Sequence, residues 1–147
     1  MGWLELRAEI AKCFHGVSIE KPAKQIVKVY ETPPAKIGDT PCVVIYPPKR
    51  EVVARSYGAR TMRYTVSCLA LLRDADASTA AEMIDAFAEA VLDPFDEATA
   101  LHGVDNAALI SQTVDAPRGN LLYAGVAFVG FDCVLVIGTV ESKELKP

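Results

Sequence analysis

The sequence predicts an α+β fold, and three observations carry that prediction. Two stretches repeat apolar residues at the three- and four-residue steps of a helix; several others alternate every second residue or are short β-branched runs; and the two kinds are interspersed along the chain. The chain has 147 residues, close to the usual size of one domain, so residues 1–147 are read as a single domain. Hydrophobic residues make up 51% and charged residues 23%, which supplies a core and excludes a wholly disordered chain.

The N-terminal segment, about residues 1–20, is built on an amphipathic helix over 3–14. Trp3, Leu6, Ile10, Cys13 and Phe14 share one face, Glu5, Glu9 and Lys12 lie opposite, and Gly16 is a natural stop. A short strand is expected at 26–30. The prolines and glycine of 32–39 then make a loop. Cys42 to Tyr46 is a β-rich run closed by Pro47 and Pro48, and 49–58 follows as an extended loop or projecting hairpin. The strand over 60–72 is the clearest. Met62, Tyr64, Val66, Cys68, Ala70 and Leu72 fall on one face, while Thr61, Arg63, Thr65 and Ser67 fall on the other. Leu69 and Leu71 break the alternation, which implies cover on both faces there.

A second helix is expected over 79–92. Thr79 and Glu82 have capping-box spacing, Asp93-Pro94 ends it, and Met83, Ile84, Phe87, Ala88, Val91 and Leu92 form its apolar stripe. Beyond a connection over 95–103, residues 107–114 form a strand and 116–120 a turn. Residues 121–137 read as one long final strand, and 139–147 as a flexible C-terminal tail. The final strand is apolar on both faces, with almost no polar residue before Asp132. At about 3.3 Å per residue it would span roughly 55 Å, against a diameter near ~40 Å for a domain of this size. It must therefore bend, at Gly125 or Gly130, or project toward a neighbour. Two helices cover one face of such a sheet and hardly both, so copies of the chain are expected to cover the rest.

Chemistry-bearing motifs are missing. His15 and His102 have no ligand-spaced neighbour, and Cys13, Cys42, Cys68 and Cys133 form no paired spacing and read as small buried hydrophobes. No nucleophile elbow, phosphate-binding glycine loop or zinc-protease pattern occurs. No catalytic residue, cofactor site or metal site is assigned, and the chain is expected to bind proteins and not to be an enzyme. With no apolar run long enough to span a bilayer and charges throughout its first residues, it is expected to be untargeted, soluble and without a membrane.

The net charge of −4 is unevenly spread. Residues 49–63 carry five basic groups against Glu51, and 74–97 carry eight acidic groups and no basic one. Acidity argues against holding nucleic acid, which depends on neutralising phosphates. The opposed blocks instead suggest head-to-tail docking of one copy on the next. The expected interface residues are Lys49, Arg50, Arg55 and Tyr57 on the basic segment, Glu82, Asp85 and Glu89 on the acidic helix, and Tyr123, Val129 and Phe131 on the final strand.

Local sequence is also suggestive. A strand ends in Tyr46-Pro47, a charged loop follows, and Arg60-x-x-Arg63-Tyr64-Thr65-Val66 leads into Leu71-Leu72-Arg73-Asp74. The helix Ala80-Ala81-Glu82-Met83-Ile84-Asp85-Ala86-Phe87 comes next, then Val91-Leu92-Asp93, Thr99-Ala100-Leu101-His102-Gly103 and Tyr123-Ala-Gly-Val-Ala-Phe-Val-Gly-Phe. Over Pro41 to Ile137 this resembles the tail terminator proteins of long-tailed phages, the group that includes the lambda minor tail protein U. The resemblance implies a mainly antiparallel sheet of four to five strands, two helices packed on one face, and a projecting loop or hairpin. It also implies a hexameric ring that caps the tail tube, ends its polymerisation and offers a head-attachment surface. The partners so implied are other copies of the chain, the tail tube protein and a head–tail connector protein, with DNA only passing through a pore. The place implied is the virion, after assembly in the host cytoplasm. Two other readings stay open: another neck or connector adaptor of a phage, or a small dimeric α+β domain that binds a ligand or catalyses a reaction.

Overall fold

The computed structural model describes residues 2–19, 25–73, 77–96 and 106–142. Helix α1 (Trp3–His15) buries Leu6, Ile10, Ala11 and Phe14 along one stripe, and the backbone N–H of Gly16 closes its end on the Cys13 carbonyl. Strands β1 (Ser18–Ile19) and β2 (Gln25–Ile26) form a small antiparallel pair. Then come β3 (Lys28–Tyr30), β4 (Cys42–Ile45), β5 (Lys49–Ser56) and β6 (Ala59–Arg73). Helix α2 (Ala77–Ala90) and the short α3 (Asp93–Asp96) precede β7 (Ala107–Val114), β8 (Arg118–Tyr123) and β9 (Val126–Ser142). The fold is mixed α+β.

Seven strands make the main sheet, in the order β3-β4-β6-β9-β7, with β5 also beside β6 and β8 also beside β9. Every pairing in it is antiparallel except β3 with β4. Its spine is the β6–β9 ladder, running from Ala59 opposite Ser142 to Arg73 opposite Phe128. Each flank of the spine is two shorter strands laid end to end. Along β6 these are β5, over 59–65, and β4, over 68–71; along β9 they are β8, over 126–130, and β7, over 133–139.

Several expectations are corrected. The main sheet has seven strands, not four to five, because the runs around Arg50 and Arg118 pair as well as the obvious ones. The helices are also more than a pair: the Asp93-Pro94 break starts the four-residue α3, which buries Phe95. Helix α2 begins at Ala77, ahead of the expected Thr79. The stretch 121–137 is not one strand. Ala124 and Gly125, at φ 50° and 82°, reverse the chain and make β8 and β9 a hairpin. Gly130 does not end β9; it faces Leu71 where a Cβ would strike the Ala70 carbonyl oxygen. The C-terminal boundary moves too, since β9 continues to Ser142; residues 143–147 of the expected tail lie outside the described residues. The segment 49–58 is a hairpin arm, with β5 and β6 joined at Tyr57 and Gly58.

The two sheet faces differ. On the first, the even positions of β6 from Met62 to Ala70 meet Phe131, Cys133, Leu135 and Ile137 of β9 in one core with α1, α2 and α3. Ring packing fixes the helices there: Phe87 of α2 meets Phe131 at 5.3 Å and Phe14 of α1 meets Phe95 of α3 at 5.3 Å, both edge-on. On the second face, Ile37 from the loop after β3 covers Cys42, Val44, Leu71 and Phe128 in a smaller core. That loop is tied down by the Tyr123 hydroxyl, which donates to the Pro34 carbonyl at 2.6 Å.

Candidate interaction surfaces

The small second core reaches only one end of the sheet. Toward the other end the second face carries Thr61, Arg63, Thr65 and Ser67 from β6, opposite Val140, Gly138, Val136 and Val134 of β9. Ile110, the bulged residue of β7, lies across Gly138. Ile110 is 57% exposed and Val140 50%, while Val134 and Val136 are half-buried. An apolar strip on a sheet face with polar neighbours on either side is therefore open to solvent. Only Val134 and Val136 of this strip belong to 121–137; its most exposed members, Ile110 and Val140, lie outside that stretch.

The basic arm stands at the end of the spine nearest this strip. Lys49, Arg50 and Arg55 are exposed, and none has a carboxylate partner among the described residues. Tyr57 at the tip is 93% exposed. The other arginines of the arm are engaged locally: Arg63 pairs with Glu51 at 3.1 Å and Arg60 with Glu141 at 3.0 Å. Glu141 also accepts the Tyr64 hydroxyl at 2.8 Å, and Tyr64 in turn stacks on Trp3 of α1, with centroids 6.3 Å apart. This cluster ties the hairpin, from Arg60 beside its turn to Tyr64 near its base, to β9 and to α1.

Glu82, Asp85 and Glu89 lie on the outer face of α2, all exposed, because Ile84, Phe87 and Val91 turn the opposite face into the core. No basic residue pairs with them among the described residues. Beside them Glu89 and Asp93 line a cleft of about 530 Å³ together with Ala86, Gly16, Val17 and Ser18. Of the other acidic positions of the block, Asp96 is exposed at the end of α3, while Asp74, Asp76 and Glu97 lie outside the described residues, as does His102.

Three residues expected at an interface face inward. Phe131 is fully buried against Phe87, since the odd positions of β9 from there to Ile137 point to the helices. Val129 packs on the edge of the same core. Tyr123 is half-buried against the smaller core, its hydroxyl holding Pro34. The split of 121–137 into a hairpin reassigned these faces, and the exposed apolar positions are instead Ile110, Leu122, Val126 and Val140. Of these, Ile110 escaped sequence reading because its bulge displaces it from the alternation of β7.

The chain matches no protein-family model and no curated protein. Among the described residues no three His, Cys, Asp or Glu side chains gather in a way that could hold a metal ion. Burial raises the thiols of Cys42, to about 12, and Cys133, to about 11, and it raises Cys68 as well, so these thiols stay protonated and unreactive. Among the described residues the cleft beside α2 offers a serine hydroxyl and two carboxylates and no histidine, lysine or cysteine. No described helix is long and apolar enough to cross a membrane. What the geometry does provide is three exposed surfaces: an apolar strip, a basic hairpin and an acidic helix face.

Proposed function

We propose that the protein is a ring-forming structural component of a long-tailed phage, which caps the tail tube, stops its growth and presents a surface for head attachment. The observation that carries this reading is the uncovered apolar strip of the sheet, Ile110 with Val134, Val136 and Val140, which its own helices do not reach. Burying such a strip against other subunits gains roughly 25 cal/mol per Å² of apolar surface, a drive toward self-association that a monomer leaves unused. The resemblance at Arg60-x-x-Arg63-Tyr64 and Tyr123-Ala-Gly-Val supplies the kind of assembly; where it implies a projecting loop or hairpin, 49–58 forms the outer strand and turn of a hairpin at the sheet edge, with Tyr57 at the turn. In that reading copies of the chain, a tail tube protein and a connector protein are the partners, and DNA passes the pore without being held.

Light scattering on a size-exclusion column tests it. A particle of about six 15.8 kDa subunits, growing with protein concentration, is the expected result. A species that stays at one or two subunits across the accessible concentration range, alone and with tail tube protein added, overturns it.

A further inference from the structure

Among the described residues the arm and the outer face of α2 carry opposite charges with no ion-pair partner, and they lie at different places along the spine. Tyr57 and Gly58 turn the chain at the end of the spine where Ala59 pairs with Ser142. Phe87 of α2 sits on Phe131, which pairs with Ala70. At ~3.3 Å per residue along the strand, residue 70 lies about 36 Å from Ala59 at the turn, about 33 Å from Arg60 opposite Arg55, and about 20 Å from Tyr64 opposite Arg50. Both surfaces rest on rigid supports: the arm is rooted by the Arg60–Glu141–Tyr64 cluster, and α2 by Ile84, Phe87 and Val91 in the core.

We infer that the arm of one copy docks on the outer face of α2 of a second copy, with Tyr57 at the acidic cleft and Arg50 and Arg55 along the ridge of Glu82, Asp85 and Glu89. This rests on the ring reading above and specifies the contact that would build the ring. Charge complementarity names the occupant. Among the described residues Arg50 and Arg55 have no carboxylate partner and the three α2 carboxylates have no cation, and the same chain supplies both halves. The dimensions agree. Arg50 and Arg55 lie about 17 Å apart along a strand, and Glu82 to Glu89 spans about 10 Å of helix, with Asp93 carrying the ridge on toward the cleft. The cleft of about 530 Å³ has room for one aromatic ring with a guanidinium beside it. A contact between different patches at opposite parts of one subunit is heterologous, so it propagates head to tail and ends only by closing into a ring.

The test is a pair of charge reversals on the full chain. Arg55→Glu and Glu89→Lys both alter exposed side chains that have no ion-pair partner among the described residues, so circular dichroism melts should match those of the unaltered protein. Each single variant is expected to assemble about tenfold or more weakly. An equimolar mixture of the two should regain assembly, because each arm then meets a cleft of opposite sign, and the double variant should regain it alone. Raising salt from about 0.05 M to about 0.5 M should loosen the unaltered assembly and spare less of it than of any purely apolar contact. If the unaltered chain assembles but both reversals leave it unchanged, the contact is wrong and the ring reading stands. If the unaltered chain does not assemble with or without tail tube protein, both fail. If Arg55→Glu abolishes retention of a single-stranded oligonucleotide and leaves assembly intact, the arm serves nucleic acid and the inference is overturned.

Discussion

Glu141 shows how a single side chain near the end of the described chain controls an element. Burial acts to raise its carboxyl, but hydrogen bonds from Tyr64 and Arg60 and the Arg60 charge outweigh it and hold the group below its ordinary value. A carboxyl depressed in the folded state adds stability above its unfolded value, near ~4.3, and that stability is lost as pH falls through the lower folded value. Glu141→Gln should therefore cost about 1 kcal/mol near neutral pH, the scale of a partly exposed charged hydrogen bond. The difference from the unaltered protein should shrink toward zero as the solution is acidified below the carboxylate range, and urea titrations at several pH values measure it. None of this was legible beforehand, because residues 139–147 read as a polar tail and nothing local pairs Glu141 with a residue 81 positions earlier. Gly130 was half legible. Its presence in a strand marked a special position, yet the cause is the close approach of the Ala70 carbonyl and not a bend.

At the level of elements, periodicity carried far when one face was buried and failed when both were. The even positions of β6 and the stripe of α2 were readable because each has a dry side and a wet side. The stretch 121–137 defeated the same reasoning: with apolar residues on both faces, the pattern has no phase to interrupt, and the turn inside it went unseen. The signal that could have found it is glycine in second place of a two-residue loop, where positive φ is required. Ala124 is the weak member of that turn, since an L-residue other than asparagine or glycine is disfavoured at φ 50°. Ala124→Asn should stabilise the protein by about 1 kcal/mol, seen as a higher denaturant midpoint at unchanged slope. An unchanged or lower midpoint would mean that the hairpin is not set by this turn.

For the molecule as a whole, the sequence carried the excess of apolar strand surface and the opposed charge blocks, but not which residues form the surface. Phe131 went to the core and Ile110 came to the outside, because the fate of each depends on a hairpin and a bulge. The open strip gives a prediction separate from the charged contact. Ile110→Lys should leave the melting temperature nearly unchanged, since the side chain is mostly exposed, and should weaken self-association, measured by sedimentation equilibrium. The spine bears on what such a part could withstand. The junction between β5 and β4 falls opposite residues 134 and 135 of β9, whereas the junction between β7 and β8 falls at 131 and 132. The joints are staggered like courses of brick, so no single line across the sheet is free of ladder bonds. A pull applied between the leading ends of β6 and β9, which lie at opposite extremities, loads the whole ladder in shear at once and finds no seam along which to tear.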